Sequence, residues 1–124
     1  MSDPYVTVLA MTNLLQVKGT ELRYLLTTYL FDHGPATVAE LVDALEYHGF
    51  FVSGRPSKAV SDALRCEMEH GRVIRFRRGR YRHGTMPRGT EHRIMKRVQA
   101  LHAEVAELSR RAGHNGSSPD LPAA

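Results

Sequence analysis

The sequence predicts a mainly α fold carrying one small β-hairpin, and three observations lead there. Leucine, valine and alanine recur at three- and four-residue steps after Thr20, after Thr37 and after Pro56, the stripe of an amphipathic helix. Glycine or proline closes each stretch, at Gly34-Pro35, Gly49 and Gly71. The run GRVIRFRRGRYRHG, residues 71–84, then sets β-branched and aromatic residues on both sides of a glycine turn.

At 124 residues the chain has room for one domain with a modest core. With no tryptophan, five tyrosines and four phenylalanines, that core is mainly leucine, valine and alanine. The single cysteine, Cys66, rules out an internal disulfide and fits a reducing cytosol. The apolar run Val8-Leu9-Ala10-Met11 is far short of a membrane span, and no secretory leader pattern opens the chain. A cytoplasmic protein is expected.

The elements follow in order. Val8, Met11 and Leu15 share a helical face, so residues 1–18 read as an apolar, dimer-supporting helix. Leu22, Leu25, Leu26, Tyr29 and Leu30 form the stripe of the next helix. Thr37-Val38-Ala39-Glu40 is a capping box, in which the threonine hydroxyl and the glutamate carboxylate each take one orphan amide. Leu41, Val42, Ala44 and Leu45 then give that helix its buried side. Pro56 suits the first turn of a third helix, whose apolar face is Val60, Ala63, Leu64 and Met68. Strands are expected over 72–76 and 80–83 around Arg77-Arg78-Gly79, with Phe76 and Tyr81 packing the hairpin onto the helices. In the last long segment Ile94, Val98, Leu101, Val105 and Leu108 step by four, three, four and three. That heptad seam spans about two heptads and fits packing on the same domain or against a partner copy. The second is expected, a short coiled coil made by a dimerisation helix over 89–112 capped at Gly113. The Gly/Ser/Pro-rich residues 113–124 read as a disordered tail.

Charge is distributed unevenly along the chain. The net +4 conceals −4 over residues 1–50, +9 over 51–98 and −1 over 99–124. A block this basic points to a polyanion as partner. Apolar residues threaded through the arginines mark the hairpin as a folded device rather than a basic tail.

Three helices, a capped second helix, a short turn into the third and a basic hairpin resemble a winged helix-turn-helix DNA-binding domain of the small bacterial regulator type. The likeness covers about 19–84, and Arg78-Gly79-Arg80-Tyr81 is similar to the Gly-x-Tyr turn of many such wings. The resemblance implies double-stranded DNA as partner, a homodimer joined by the C-terminal helix, and a role in transcription regulation. Arg55, Ser57, Lys58, Ser61 and Arg65 then face the major groove from the third helix. Arg75, Arg77, Arg78, Arg80 and Arg82 place cations on backbone phosphates or in a narrow minor groove. Asp62 is the awkward member, since it repels phosphate; its place suits pairing with Lys58 and Arg65 or accepting from a cytosine amine. Ile94, Val98, Leu101, Val105 and Leu108 are the expected dimer interface.

Two other uses fit the same residues. One is a nucleoid-associated architectural protein with little sequence choice. The other is a protein-interaction adaptor working through the acidic first helices and the seam. The seven histidines fall in no ligand pattern with the lone cysteine, so no metal or cofactor is expected. A thiol switch at Cys66 lacks a resolving partner. No phosphate loop, zincin or nucleophile-elbow motif is present, and an enzyme is not expected.

Overall fold

The structure, a computed structural model, describes residues 14–117, with side chains through residue 111. Nine elements follow in order among them: β1 (Leu15–Gln16), α1 (Gly19–His33), β2 (Ala36–Thr37), α2 (Val38–Tyr47), β3 (Phe50–Phe51), α3 (Pro56–Glu69), β4 (Val73–Arg77), β5 (Arg80–His83) and α4 (Arg88–Ser117). The fold is mainly helical with a small antiparallel sheet. No helix among the described residues is long and apolar enough to cross a membrane.

The helices expected after Thr20, Thr37 and Pro56 form where their stripes require. Leu22, Leu25, Leu26 and Leu30 of α1 are buried, and the helix ends with the Gly34 amide donating to the Leu30 carbonyl. The α2 capping box is complete: the Glu40 amide donates to Thr37 Oγ1 at 3.1 Å, and the Thr37 amide donates to Glu40 Oε1 at 2.9 Å. Leu41 and Leu45 carry that helix into the core. Pro56 opens α3 as expected.

The chain start departs from the expected helix. Residues 1–13 lie outside the described residues, and Leu15–Gln16 form a strand parallel to β3, in the register Leu15↔Phe50. The Val17 amide donates to the Phe51 carbonyl, and Val17 is wholly buried. Leu15 and Val17 alternate with period two, and the Gly49 and Phe51 carbonyls, which accept from their amides, favour a ladder over a helical turn.

The hairpin gains a third strand that the sequence does not announce. Ala36 pairs with Tyr81 and Thr37 with Arg80, so the sheet order is β2-β5-β4. Val73 is buried and Tyr81 half-buried against the core. The β4 strand runs to Arg77, one residue further than expected, because Arg77 pairs with Arg80 across a two-residue turn at Arg78-Gly79. A register shift between Arg75 and Arg77 turns Phe76 outward, so it does not pack on the helices. The Arg77 guanidinium lies 5.9 Å from the Phe76 ring centroid instead.

The largest correction concerns α4. Ile94, Val98 and Leu101 are 1%, 4% and 1% exposed within this single chain, packed into the core with α1 and Phe50. Val105 is half-buried over Gly49, and Leu108 is half-buried. The seam expected to join two copies is therefore filled in cis, and α4 belongs to the same body as residues 19–84. A two-heptad stripe has the same spacing whether it faces a partner or its own domain. The helix also runs through Gly113 to Ser117, past the expected cap and into the expected tail, whose remaining residues 118–124 lie outside the described residues.

Gly49 shows how closely α4 is seated. Its φ is 92°, and a Cβ added there meets Val105 Cγ1 well inside contact distance. Gly49→Ala is expected to lower stability by about 2–4 kcal/mol, from left-handed backbone strain plus the steric overlap. Urea unfolding measures the loss, and in a double-mutant cycle with Val105→Ala the steric part disappears.

His102 reports on the same junction. Its ring lies 5.3 Å from that of Phe50 and 5.6 Å from that of His48. Partial desolvation, with a smaller contribution from His48, lowers its pKa from the ordinary imidazole value. The unfolded chain therefore binds the proton more readily, and this contribution to stability is complete above about pH 6.5 and is lost as the pH falls below it. An NMR titration of His102 should give a midpoint below that of an unfolded-chain histidine. His102→Gln should flatten the fall of Tm between pH 7 and 5.

Candidate nucleic-acid interface

Lys58 and Arg65 of α3 and the exposed arginines of the hairpin differ in whether an acid holds them. On α3, Lys58 Nζ donates to Asp62 Oδ2 at 2.9 Å, and Arg65 Nη1 donates to Asp62 Oδ1 at 3.4 Å. The hydrogen bond from Lys58, with the charges of Lys58 and Arg65 beside it, holds the Asp62 carboxyl below the usual carboxylate range. All three side chains are exposed, so the pairs are weak and compete with water. Arg55 and Ser57 are exposed at the start of α3, and Ser61 is half-buried. Arg55 is the N-cap residue and makes no side-chain cap hydrogen bond.

The hairpin differs. Arg75, Arg77, Arg78, Arg80 and Arg82 are all exposed. No carboxylate among the described residues lies within 4.0 Å of any of the five. Antiparallel pairing explains their crowding: Arg75 and Arg77 stand on one strand, Arg80 and Arg82 on the next, and Arg78 in the turn between. Five guanidinium groups on one short ribbon form a concentrated positive field with no internal neutralisation.

The sixth arginine of the run has another task, which the sequence reading missed. Arg72 turns inward and forks onto Glu67, Nε to Oε1 and Nη2 to Oε2, both at 2.7 Å. The Glu67 side chain is wholly buried. Thr27 Oγ1 on α1 donates to Oε1 at 2.7 Å, and Arg23 Nε lies 3.6 Å from Oε2. Hydrogen bonding to Glu67 raises the Arg72 pKa above its ordinary value. Arg23 also donates from Nη1 to Cys66 Sγ at 2.8 Å, and Cys66 is half-buried. A signal was present in the sequence. Position 67 continues the stripe Val60, Ala63, Leu64 by three and four residues, and a carboxylate there needs a buried cation. Glu67, rather than the half-buried Met68, completes the inner face of α3.

Elsewhere Arg97 of α4 pairs with Glu21 of α1, and Arg110 and Arg111 pair with Glu107. Among the described residues no three His, Cys, Asp or Glu side chains are grouped to hold a metal ion. No family model, no characterised protein and no solved structure matches the chain.

Proposed function

We propose that this chain is a winged-helix module that binds double-stranded DNA, a binding protein rather than an enzyme. The observation that carries the reading is the set of five exposed hairpin arginines that have no acidic partner among the described residues. Unpaired guanidinium groups so close together repel one another, and a duplex backbone supplies the missing anions along with the release of its condensed counterions. The order α1, β2, α2, β3, α3 and hairpin supports it, because this order puts the basic ribbon directly after a helix with an exposed face. In this reading α3 enters the major groove with Arg55, Ser57, Lys58, Ser61 and Arg65 along its outer edge, while the hairpin grips the flanking backbone. Transcription regulation in the cytoplasm is the simplest use of such a module.

Asp62 favours a second use of the same surface, as a nucleoid-type architectural binder. It engages both Lys58 and Arg65, the two cations best placed to read guanine edges, whereas the phosphate-directed hairpin is free. A protein built this way holds DNA more firmly than it reads it. The homodimer loses its expected seam, because Ile94, Val98 and Leu101 are used inside one chain. The adaptor reading loses the same surface. In our reading one copy forms a complete DNA-gripping unit.

Fluorescence anisotropy of the full chain on a mixed-sequence duplex, over a series of salt concentrations, tests the proposal. Binding that weakens steeply with salt supports it, and no binding at low salt refutes it. Selection from random duplexes then separates regulator from architectural binder by the ratio of specific to non-specific affinity.

A further inference from the structure

We infer that the buried cluster of Glu67, Arg72 and Thr27 is the positioning device of the hairpin, fixing the direction in which β4 and β5 carry their arginines relative to α3. This inference rests on the DNA-binding reading for its functional consequence. Its structural part stands on geometry alone.

At its other edge the hairpin is held by two paired residues of β2, Ala36 and Thr37, and by apolar contacts, Tyr81 on the core and the His83 ring 4.6 Å from that of Phe31. Strand β4 is the outer strand, with no further strand beside it among the described residues. The root of β4 is consequently the place where direction is set. Three contacts converge there. The Arg72 amide donates to the Glu67 carbonyl at 3.0 Å, closing the turn from α3 into β4. The Arg72 carbonyl accepts from the Gly84 amide, tying the far end of β5 to the same point. The Arg72 side chain forks onto the buried Glu67 carboxylate, which Thr27 binds from α1.

A forked pair constrains orientation in a way that an apolar contact does not. Two parallel N–H···O bonds fix the guanidinium plane against the carboxylate plane, while methyl and methylene groups slide over one another at little cost. Burial of such a pair is not needed for stability, since apolar replacements of similar volume often serve as well or better. What the fork adds is direction.

Leverage makes that direction matter. Five residues separate Arg72 from Arg77, about 16 Å along a strand. A swing of about 10° at the root moves the tip by about 3 Å, as much as the full length of a hydrogen bond to a phosphate. Loss of the fork therefore scatters Arg77, Arg78 and Arg80 off their targets without altering any of them.

The decisive variant replaces the cluster with apolar residues, Thr27→Val, Glu67→Met and Arg72→Met together, so that neither Arg72 nor Thr27 is left without its partner, while Arg23, a quarter exposed, keeps its bonds to Thr20 and Cys66 and its access to water. Two measurements on the full chain test the inference. Residual dipolar couplings report the orientation of β4 and β5 relative to α3 with no DNA present. We expect the unaltered chain to fit one rigid frame through α3 and the hairpin, and the triple variant to need a second frame or reduced hairpin couplings. The same orientation and rigidity in both proteins overturns the inference. In the anisotropy series, the triple variant should lose about as much salt slope and affinity as alanine at Arg77, Arg78 and Arg80, roughly 100-fold near 0.15 M salt. Adding it to that alanine variant should then cost less than threefold more. A folded triple variant with the salt slope of the unaltered chain overturns the positioning role in binding. Absence of duplex binding by the unaltered chain refutes the DNA-binding reading, and the dipolar couplings still decide whether the cluster orients the hairpin.

Discussion

Alanine at Arg77, Arg78 and Arg80 together is expected to lower affinity for a mixed-sequence duplex about 100-fold near 0.15 M salt. Each guanidinium that meets a phosphate releases close to one condensed counterion, so three lost contacts reduce the slope of log K against log salt by about 2.7. The three side chains are exposed, and none has a carboxylate partner among the described residues, so their removal leaves no orphaned group in the protein. Far-ultraviolet circular dichroism and Tm should accordingly stay within a few degrees of the unaltered chain. A normal salt slope in a folded variant would place the polyanion contact elsewhere. Lys58→Ala and Arg65→Ala provide the contrast. If Asp62 holds both cations back from the bases, each change should cost under tenfold in affinity and alter sequence preference little.

The second large effect is on stability. Glu67→Ala is expected to cost about 3–5 kcal/mol, measured by urea unfolding, because it leaves the Arg72 guanidinium largely buried with no anion. A single domain of this size is held by about 5–15 kcal/mol, so the variant approaches or reaches unfolding at ambient temperature. Thr27 loses its acceptor in the same change. The apolar triple replacement at Thr27, Glu67 and Arg72 should retain most of the stability, since it removes the forked pair together and leaves Arg23 its bonds to Thr20 and Cys66 and its access to water. That opposition, one change severe and three together mild, separates an orphaned charge from a simple loss of packing. If Glu67→Ala costs under 1 kcal/mol, water or another cation reaches Arg72 and the cluster is not closed.

Much of the helical framework was legible because its determinants are local. Thr37 and Glu40 form their capping box three residues apart, Pro56 starts α3 from its own fixed φ, and Gly34 ends α1 through its own amide. The hairpin was open to reading in its place and its glycine turn, whereas the pairing of Arg77 with Arg80 and the outward Phe76 were not. The strands β1, β2 and β3 were not legible. Each has two residues, too few for any periodic signal, and each exists only because a distant segment offers open backbone groups, Phe50 to Leu15 and Tyr81 to Ala36. The helical reading of Leu15 failed for that reason.

The candidate site divides along the same line. The count of arginines and their grouping around Gly79 came from the sequence. Which of them stand free was decided by tertiary structure, because Arg72 and Arg75 look alike in the chain and differ only in whether Glu67 and Thr27 lie within reach. The seam of α4 shows the same division. Its spacing determined that Ile94, Val98 and Leu101 share one face, but spacing carries no information about what covers that face. By itself, then, the sequence determined three helices, a basic hairpin and an amphipathic final helix, because capping, turns and periodicity act over a few residues. Only the tertiary structure decided that α4 completes its own core and that one arginine of six turns inward, because burial and charge pairing depend on residues far apart in the chain.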